Sequence, residues 1–155
     1  KLILVGLPAW NEEEREQRLA EELPMAEYWI LPKMDGSHLM EEWDYRVGYA
    51  ETPLTTPEIM HRVVMASTIS TRSRRNISIA VAKHNINYRF PLLRVPTYFM
   101  CGDLEHVGSD LERQKALLPA GVPTGSAYIK GAGDYAAMEA PQEFARLMME
   151  FLAKP

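Results

Sequence analysis

The stretch Val95-Pro96-Thr97-Tyr98-Phe99-Met100-Cys101-Gly102-Asp103-Leu104-Glu105 decides how the rest of the chain is read. From Thr97 to Cys101 it is aromatic and β-favouring, carries no charge, and stops at Gly102-Asp103. A short apolar run bounded by turn residues predicts a strand buried on both faces, the kind found inside parallel sheets. The carboxyl end of that strand then lies at an acidic turn.

Downstream the same grammar repeats. Asp110 to Leu118 reads as a helix and Ser126 to Lys130 as a strand that ends at Gly131-Ala132-Gly133-Asp134. Pro141 opens a last helix, with Phe144, Leu147, Met148 and Phe151 as its buried stripe. Upstream, the chain starts on another continuous apolar run, Leu2 to Val5, bounded by Gly6 and Pro8, which predicts a third strand buried on both faces.

Between the first two strands the pattern is helical. Asn11 and Glu14 form a capping box for a helix to about Leu23, ended by Pro24, with Glu14 and Arg18 spaced to pair. Asp35-Gly36-Ser37 supplies a turn and an N-cap, after which Leu39, Met40, Trp43, Val47 and Ala50 recur at helical spacing. Pro57 opens a helix with Ile59, Val63, Ala66 and Ile69 or Ser70 on one side. Residues 74–86 fit either period, and helix is favoured.

Strand, helices, strand, helix, strand, helix demands a parallel sheet with crossover helices. The expected fold class is therefore α/β. The expected division is 1–10 with 91–155 as the sheet-bearing core, and 11–90 as an inserted helical cap, too long to be one crossover.

Composition narrows the function. The 155 residues are 46% hydrophobic and 25% charged, ordinary for a globular chain. A net charge of -4, from 17 Lys and Arg against 21 Asp and Glu, argues against a nucleic-acid partner. No apolar run approaches the ~20 residues of a membrane span. One cysteine, Cys101, excludes an internal disulfide, and with no signal segment it predicts a reducing, cytoplasmic setting. His38, His61, His84 and His106 lack metal-ligand spacing, so neither a metal nor another cofactor is expected.

In open parallel sheets, ligands bind outside the carboxyl ends of the strands. The turns at those ends are Gly6 to Trp10, Gly102 to His106 and Gly131 to Tyr135, and their carboxylates are Asp103, Glu105 and Asp134. Glu105 and Asp134 are the candidate catalytic pair; the competing reading is turn chemistry, each carboxylate bonded to nearby backbone N–H groups. Cys101 with His106 nearby could form a thiol nucleophile, although a cysteine at a strand end is more often a small buried hydrophobe. Arg72, Arg74 and Arg75 read as a solvated helix face. Trp10, Leu39, Met40 and Trp43 are candidates to line an apolar substrate pocket, or else core.

These residues carry a resemblance. Val95 to Glu105 looks like the α/β-hydrolase strand and turn that end in Gly-x-x-Asp, with Glu105 at the place of the triad acid. Gly131-Ala132-Gly133-Asp134-Tyr135, with Met138-Glu139-Ala140-Pro141-Gln142-Glu143-Phe144, is similar to that family's closing Gly-x-Gly-His followed by Glu-x-Pro and an aromatic residue. Asp134 stands where the family has its general-base histidine. Leu2 to Pro8 resembles the strand after the nucleophile elbow, and Asp35 to Leu39 with Trp43 resembles the cap of lipase- and epoxide-hydrolase-type members.

The resemblance implies a partial α/β-hydrolase fold, the cap and carboxyl-terminal half. It also implies an enzyme that acts on a small apolar ester, lactone or related acyl substrate. No Gly-x-Ser-x-Gly is present, so nucleophile and oxyanion donors are missing, and the chain alone is expected to be inactive beyond background. A complementary hydrolase segment, or self-association through Lys1 to Gly6, is the expected partner of the first strand. Two alternatives stand beside this: a non-catalytic relative, or pseudoenzyme, that binds a small apolar ligand, and non-hydrolytic proton transfer by a Glu105 and Asp134 pair.

Overall fold

The computed structural model describes residues 1–23, 32–70, 74–106 and 109–154. Pro24, Arg72 and Ser73 lie outside the described residues. The chain divides into two compact units, one of residues 1–9, 52–55 and 86–155, the other of residues 10–51 and 56–85.

The first unit holds the sheet. Strands β1 (Leu2–Val5), β2 (Thr97–Gly102) and β3 (Thr124–Ile129) are parallel and lie in the order β1-β2-β3. Leu2 pairs with Thr97 and Thr97 with Thr124, so the three carboxyl ends finish side by side. The central strand β2 is buried at every residue and alternates between two cores, as a period of two requires. Tyr98 and Met100 point to one face, where they meet Ile129, Ala132, Leu147 and Phe151. Phe99 and Cys101 point to the other, against Ala9, Phe90 and Leu111.

Helix α7 (Pro141–Ala153) covers the first face with the expected stripe: Leu147 and Phe151 are buried, Phe144 and Met148 packed beside them, and Phe151 stacks on Tyr98 at 5.0 Å. Helix α5 (Leu111–Ala116) lies on the second, capped by Asp110, whose side chain accepts from the Arg113 N–H. It is shorter than the sequence suggests, and β3 starts two residues earlier, at Thr124. A one-turn helix, α6 (Ala136–Glu139), precedes α7.

One expectation about the sheet is corrected. β1 is not buried on both faces: Leu2, Ile3 and Leu4 are half-buried and Val5 is 46% exposed. Among the described residues only β2 pairs with β1, so it is an edge strand whose other side lacks the cover that an apolar run of this kind suits.

The second unit is helical: α1 (Glu12–Glu22), α2 (Ser37–Ala50), α3 (Pro57–Ser70) and α4 (Arg74–Lys83). α1 packs with α4 and α2 with α3. The capping box forms as read, with Asn11 Oδ1 accepting from the Glu14 N–H at 2.8 Å and Glu14 Oε2 from the Asn11 N–H at 2.7 Å. Arg18 makes its ion pair with Glu21 and lies 5.5 Å over the Trp10 ring.

Two readings within this unit are corrected. Ser37 is the first helical residue rather than the N-cap; Gly36, at φ 76°, takes that place, and Asp35 Oδ1 accepts from the Ser37 N–H and hydroxyl. In α3 the period is right but the phase is off by one residue. The buried set is Met60, Val63, Val64 and Ser67, while Ile69 is 81% exposed. Spacing alone admits two adjacent stripes, and the partner helix selects between them.

Candidate active site at the carboxyl ends of the strands

The turns after β2 and β3 are laced together by reciprocal hydrogen bonds. Asp103 Oδ1 accepts from the Gly131 N–H at 2.6 Å, and Asp134 Oδ1 accepts from the His106 N–H at 2.8 Å. Between them the Leu104 N–H donates to the Ala132 carbonyl at 2.9 Å. This approach needs glycine: a Cβ at Gly102 would lie 2.1 Å from the Ala132 oxygen.

Glu105 sits where β2 ends. Its Oε1 accepts from the Ser109 N–H at 2.7 Å, and its Oε2 lies 3.4 Å from the position of a Cβ on Gly6, the residue after β1. Gly6 has φ +56°, a conformation that side-chain-bearing residues rarely adopt. Ser109 fixes the same corner twice over, since its hydroxyl donates to the Leu7 carbonyl at 3.0 Å. Gln114 Nε2 donates to that carbonyl too, and Arg113 donates to the Ala9 carbonyl at 3.1 Å. The loop after β1 is thereby pinned from the α5 side.

Asp134 is largely buried, with 13% of its side chain exposed, and its second oxygen lies 4.0 Å from His106 Nδ1. No hydrogen bond joins Glu105 to Asp134 among the described residues; each carboxylate takes a separate backbone N–H. The structure thus brings the two acidic turns together and gives each carboxylate a backbone N–H partner.

Cys101 is buried in the apolar core of the second face. Burial pushes its thiol up to about 12, and the charges of Glu105 and Asp103 add to the effect. A thiol so raised stays protonated near neutrality and is no nucleophile.

Sequence reasoning missed the role of Glu139. It is buried at the end of α6, with Oε2 accepting from the Gly133 N–H at 2.7 Å and Oε1 from the hydroxyls of Thr52 at 2.8 Å and Thr55 at 2.7 Å. Segment 52–55 is therefore fastened to the turn that carries Asp134. Its threonines lie more than eighty residues away in sequence, and no local pattern marks them.

The four pocket candidates all belong to the helical unit. Trp43 is half-buried, Leu39 and Met40 lie on the exposed side of α2 with Met40 61% exposed, and Trp10 sits beneath Arg18. Among the described residues no group of three His, Cys, Asp or Glu is arranged to hold a metal, and no helix is long and apolar enough to cross a membrane.

No family model and no curated protein matches the chain. Solved structures do. A hydrolase from Pseudomonas aeruginosa PA01 superposes with a TM-score of 0.66 at 20% identity, over 99% of this chain and 56% of that one. A bromoperoxidase from Bacillus anthracis gives 0.68 at 14% identity, over 98% and 57%. An alpha/beta hydrolase enzyme from a Medee basin deep-sea metagenome library gives 0.60 at 14% identity, over 100% and 56%. The likeness establishes the fold: the chain has a partial α/β-hydrolase fold and spans about half the length of the structures it matches.

Proposed function

We propose that this chain is the acid-bearing part of an α/β-hydrolase-fold enzyme that cleaves a small apolar ester, lactone or related acyl substrate. Glu105 is the acid whose charge orients and steadies a protonated base. The nucleophile and the oxyanion donors come from a complementary segment that pairs with the outer edge of β1; a second copy docking through Lys1 to Gly6 is the other occupant of that edge. The helical unit, through Trp10, Leu39, Met40 and Trp43, serves as the cap of the acyl site. A reducing, cytoplasmic setting belongs to the same reading, supported by the free, buried thiol of Cys101.

The observation that carries this reading is the place of Glu105. Its carboxylate stands at the carboxyl end of the central strand, held by Ser109 and facing the end of the edge strand. In parallel sheets that is where reacting ligands sit. Functions recorded for similar folds set the expectation, while the residues of this site must supply the chemistry.

A second reading, a non-catalytic relative that binds a small apolar ligand, is favoured by one feature. Asp134 occupies the place of the base and spends one oxygen on the His106 backbone. The two readings separate in one experiment. The coding sequence upstream of Lys1 is expressed joined to this chain, and p-nitrophenyl acetate is added. A burst of 4-nitrophenol followed by turnover supports the hydrolase. Thermal stabilisation by the ester's unreactive amide analogue, without any burst, supports the binding protein.

A further inference from the structure

We infer that segment 86–95 is a docking surface for an anionic lipid interface. The inference goes beyond the hydrolase reading and does not depend on it.

Charge is laid unevenly along the chain. Residues 59–102 hold seven Lys and Arg and no Asp or Glu, while the rest of the chain carries all 21 acids and the other ten bases. Within that acid-free run, segment 86–95 also exposes apolar side chains: Tyr88 is 76% exposed, Leu92 62% and Val95 42%. Arg89, Pro91 and Arg94 are exposed beside them. Phe90 is buried and meets Phe99 edge-on, ring centroids 5.8 Å apart, which anchors the segment to the sheet.

The segment is also held in shape. Two short 3-10 turns, Ile86–Tyr88 and Phe90–Leu92, are closed by the Arg89 N–H donating to the Ile86 carbonyl at 2.8 Å and the Leu92 N–H to the Arg89 carbonyl at 3.0 Å. Arg94 Nη1 donates to the carbonyls of Pro91 at 2.7 Å and Leu93 at 2.8 Å. Docking therefore needs little further ordering of the backbone.

This chemistry selects the partner. Tyrosine and leucine beside arginine suit the boundary of a bilayer, where apolar side chains enter the acyl region and guanidinium groups meet headgroup phosphates. A nucleic acid matches the charge but leaves Leu92 and Val95 uncovered. A second copy offers its densest acids on α1, which exposes Glu12, Glu13, Glu16, Gln17 and Glu21 and gives those side chains no apolar face. The place in the fold supplies an orientation. Pro96 leads into β2 and its carbonyl accepts from the Leu2 N–H at 2.8 Å, so the segment enters at the amino ends of the strands. Asp103, Glu105 and Asp134 follow the opposite ends. A six-residue strand is about 20 Å long, well beyond the Debye length of about 8 Å at physiological salt, so repulsion from those acids is largely screened while the arginine contacts are not.

Sedimentation of this chain with phosphatidylcholine vesicles, with and without phosphatidylserine, tests the surface. Binding to the anionic vesicles should be at least about tenfold tighter than to the neutral ones, and should fall by about tenfold or more in about 0.5 M salt. Arg89→Gln should weaken it about fivefold, the worth of one cation at a lipid surface, and Leu92→Gln by about as much with charge unchanged. Lys130→Gln, which removes a cation just past the carboxyl end of β3, should change it by less than about twofold. All three substituted side chains are exposed. Equal affinity for the two kinds of vesicle, or Lys130→Gln as damaging as Arg89→Gln, overturns the proposal. So does binding indifferent to Leu92→Gln and matched on duplex DNA, the mark of a general polyanion surface. Dimers that Leu92→Gln dissociates without vesicles would give the surface to a second copy. Loss of vesicle binding when the upstream coding sequence is joined would give it to that segment, and either result contradicts the lipid assignment.

Discussion

Glu139 shows how much one buried carboxylate can organise. Its two oxygens take three donors from two segments far apart in sequence, Gly133 on one side and Thr52 and Thr55 on the other. Truncation strands all three donors in a water-poor place, at roughly 1–3 kcal/mol for each donor that finds no replacement. Glu139→Ala should therefore lower the unfolding free energy by about 3 kcal/mol or more, read from the denaturant midpoint. A loss under about 1 kcal/mol would mean that the network is solvated. Cys101 gives a second residue-scale prediction. Its folded-state pKa, pushed up to about 12, lies above the ordinary thiol value of 9.0, so the unfolded chain gives up its proton first as pH rises. The thiol's contribution is complete below about pH 9 and is lost as pH climbs towards about 12. Compared with Cys101→Ala, the unaltered chain should lose more stability across that alkaline window; parallel curves would refute the burial argument. Tyr98, raised by burial and by Glu150, ionises in the same direction and is common to both chains.

Among the elements, legibility follows locality. The Asn11 and Glu14 box and the Pro141 start are signals contained within a few residues, and they form as read. β2 was legible because a strand buried on both faces needs no partner to declare its phase. In α3 the choice between Val63 with Ile59 and Val63 with Met60 belongs to the packing against α2, which spacing does not encode. Turn chemistry near Ser37 failed for a related reason: Asp35 Oδ1 takes both the N–H and the hydroxyl of Ser37, so that hydroxyl is committed to the turn rather than to the first helical N–H groups. The edge strand supports a prediction of its own. The Leu2 and Gly6 amides donate to the carbonyls of Pro96 and Met100, so alternation turns the Ile3 and Val5 amides outward. In this chain those two should exchange with solvent far faster than Leu4. When the complementary segment is joined they should slow by at least about a hundredfold, while unchanged exchange would leave β1 as a true edge.

At the scale of the whole molecule, the site was readable as a set of turns and unreadable as a set of contacts. The sequence places Glu105 and Asp134 after strands, and the parallel order brings those turns together. Side-chain geometry is a further matter: Glu105 and Asp134 each give one oxygen to a backbone N–H, and no hydrogen bond joins the two among the described residues. The role of Ser109 in fixing Glu105, and that of 52–55 in bracing the Asp134 turn, arise only from tertiary packing. What the fold leaves as the central claim is that Glu105 is the acid of an acyl-transfer centre. The most direct measurement is steady-state hydrolysis of p-nitrophenyl acetate by the joined enzyme and its Glu105→Gln variant. If Glu105 steadies a protonated base, kcat falls by about a thousandfold or more with KM little changed. A variant that keeps the turnover of the unaltered enzyme contradicts the account.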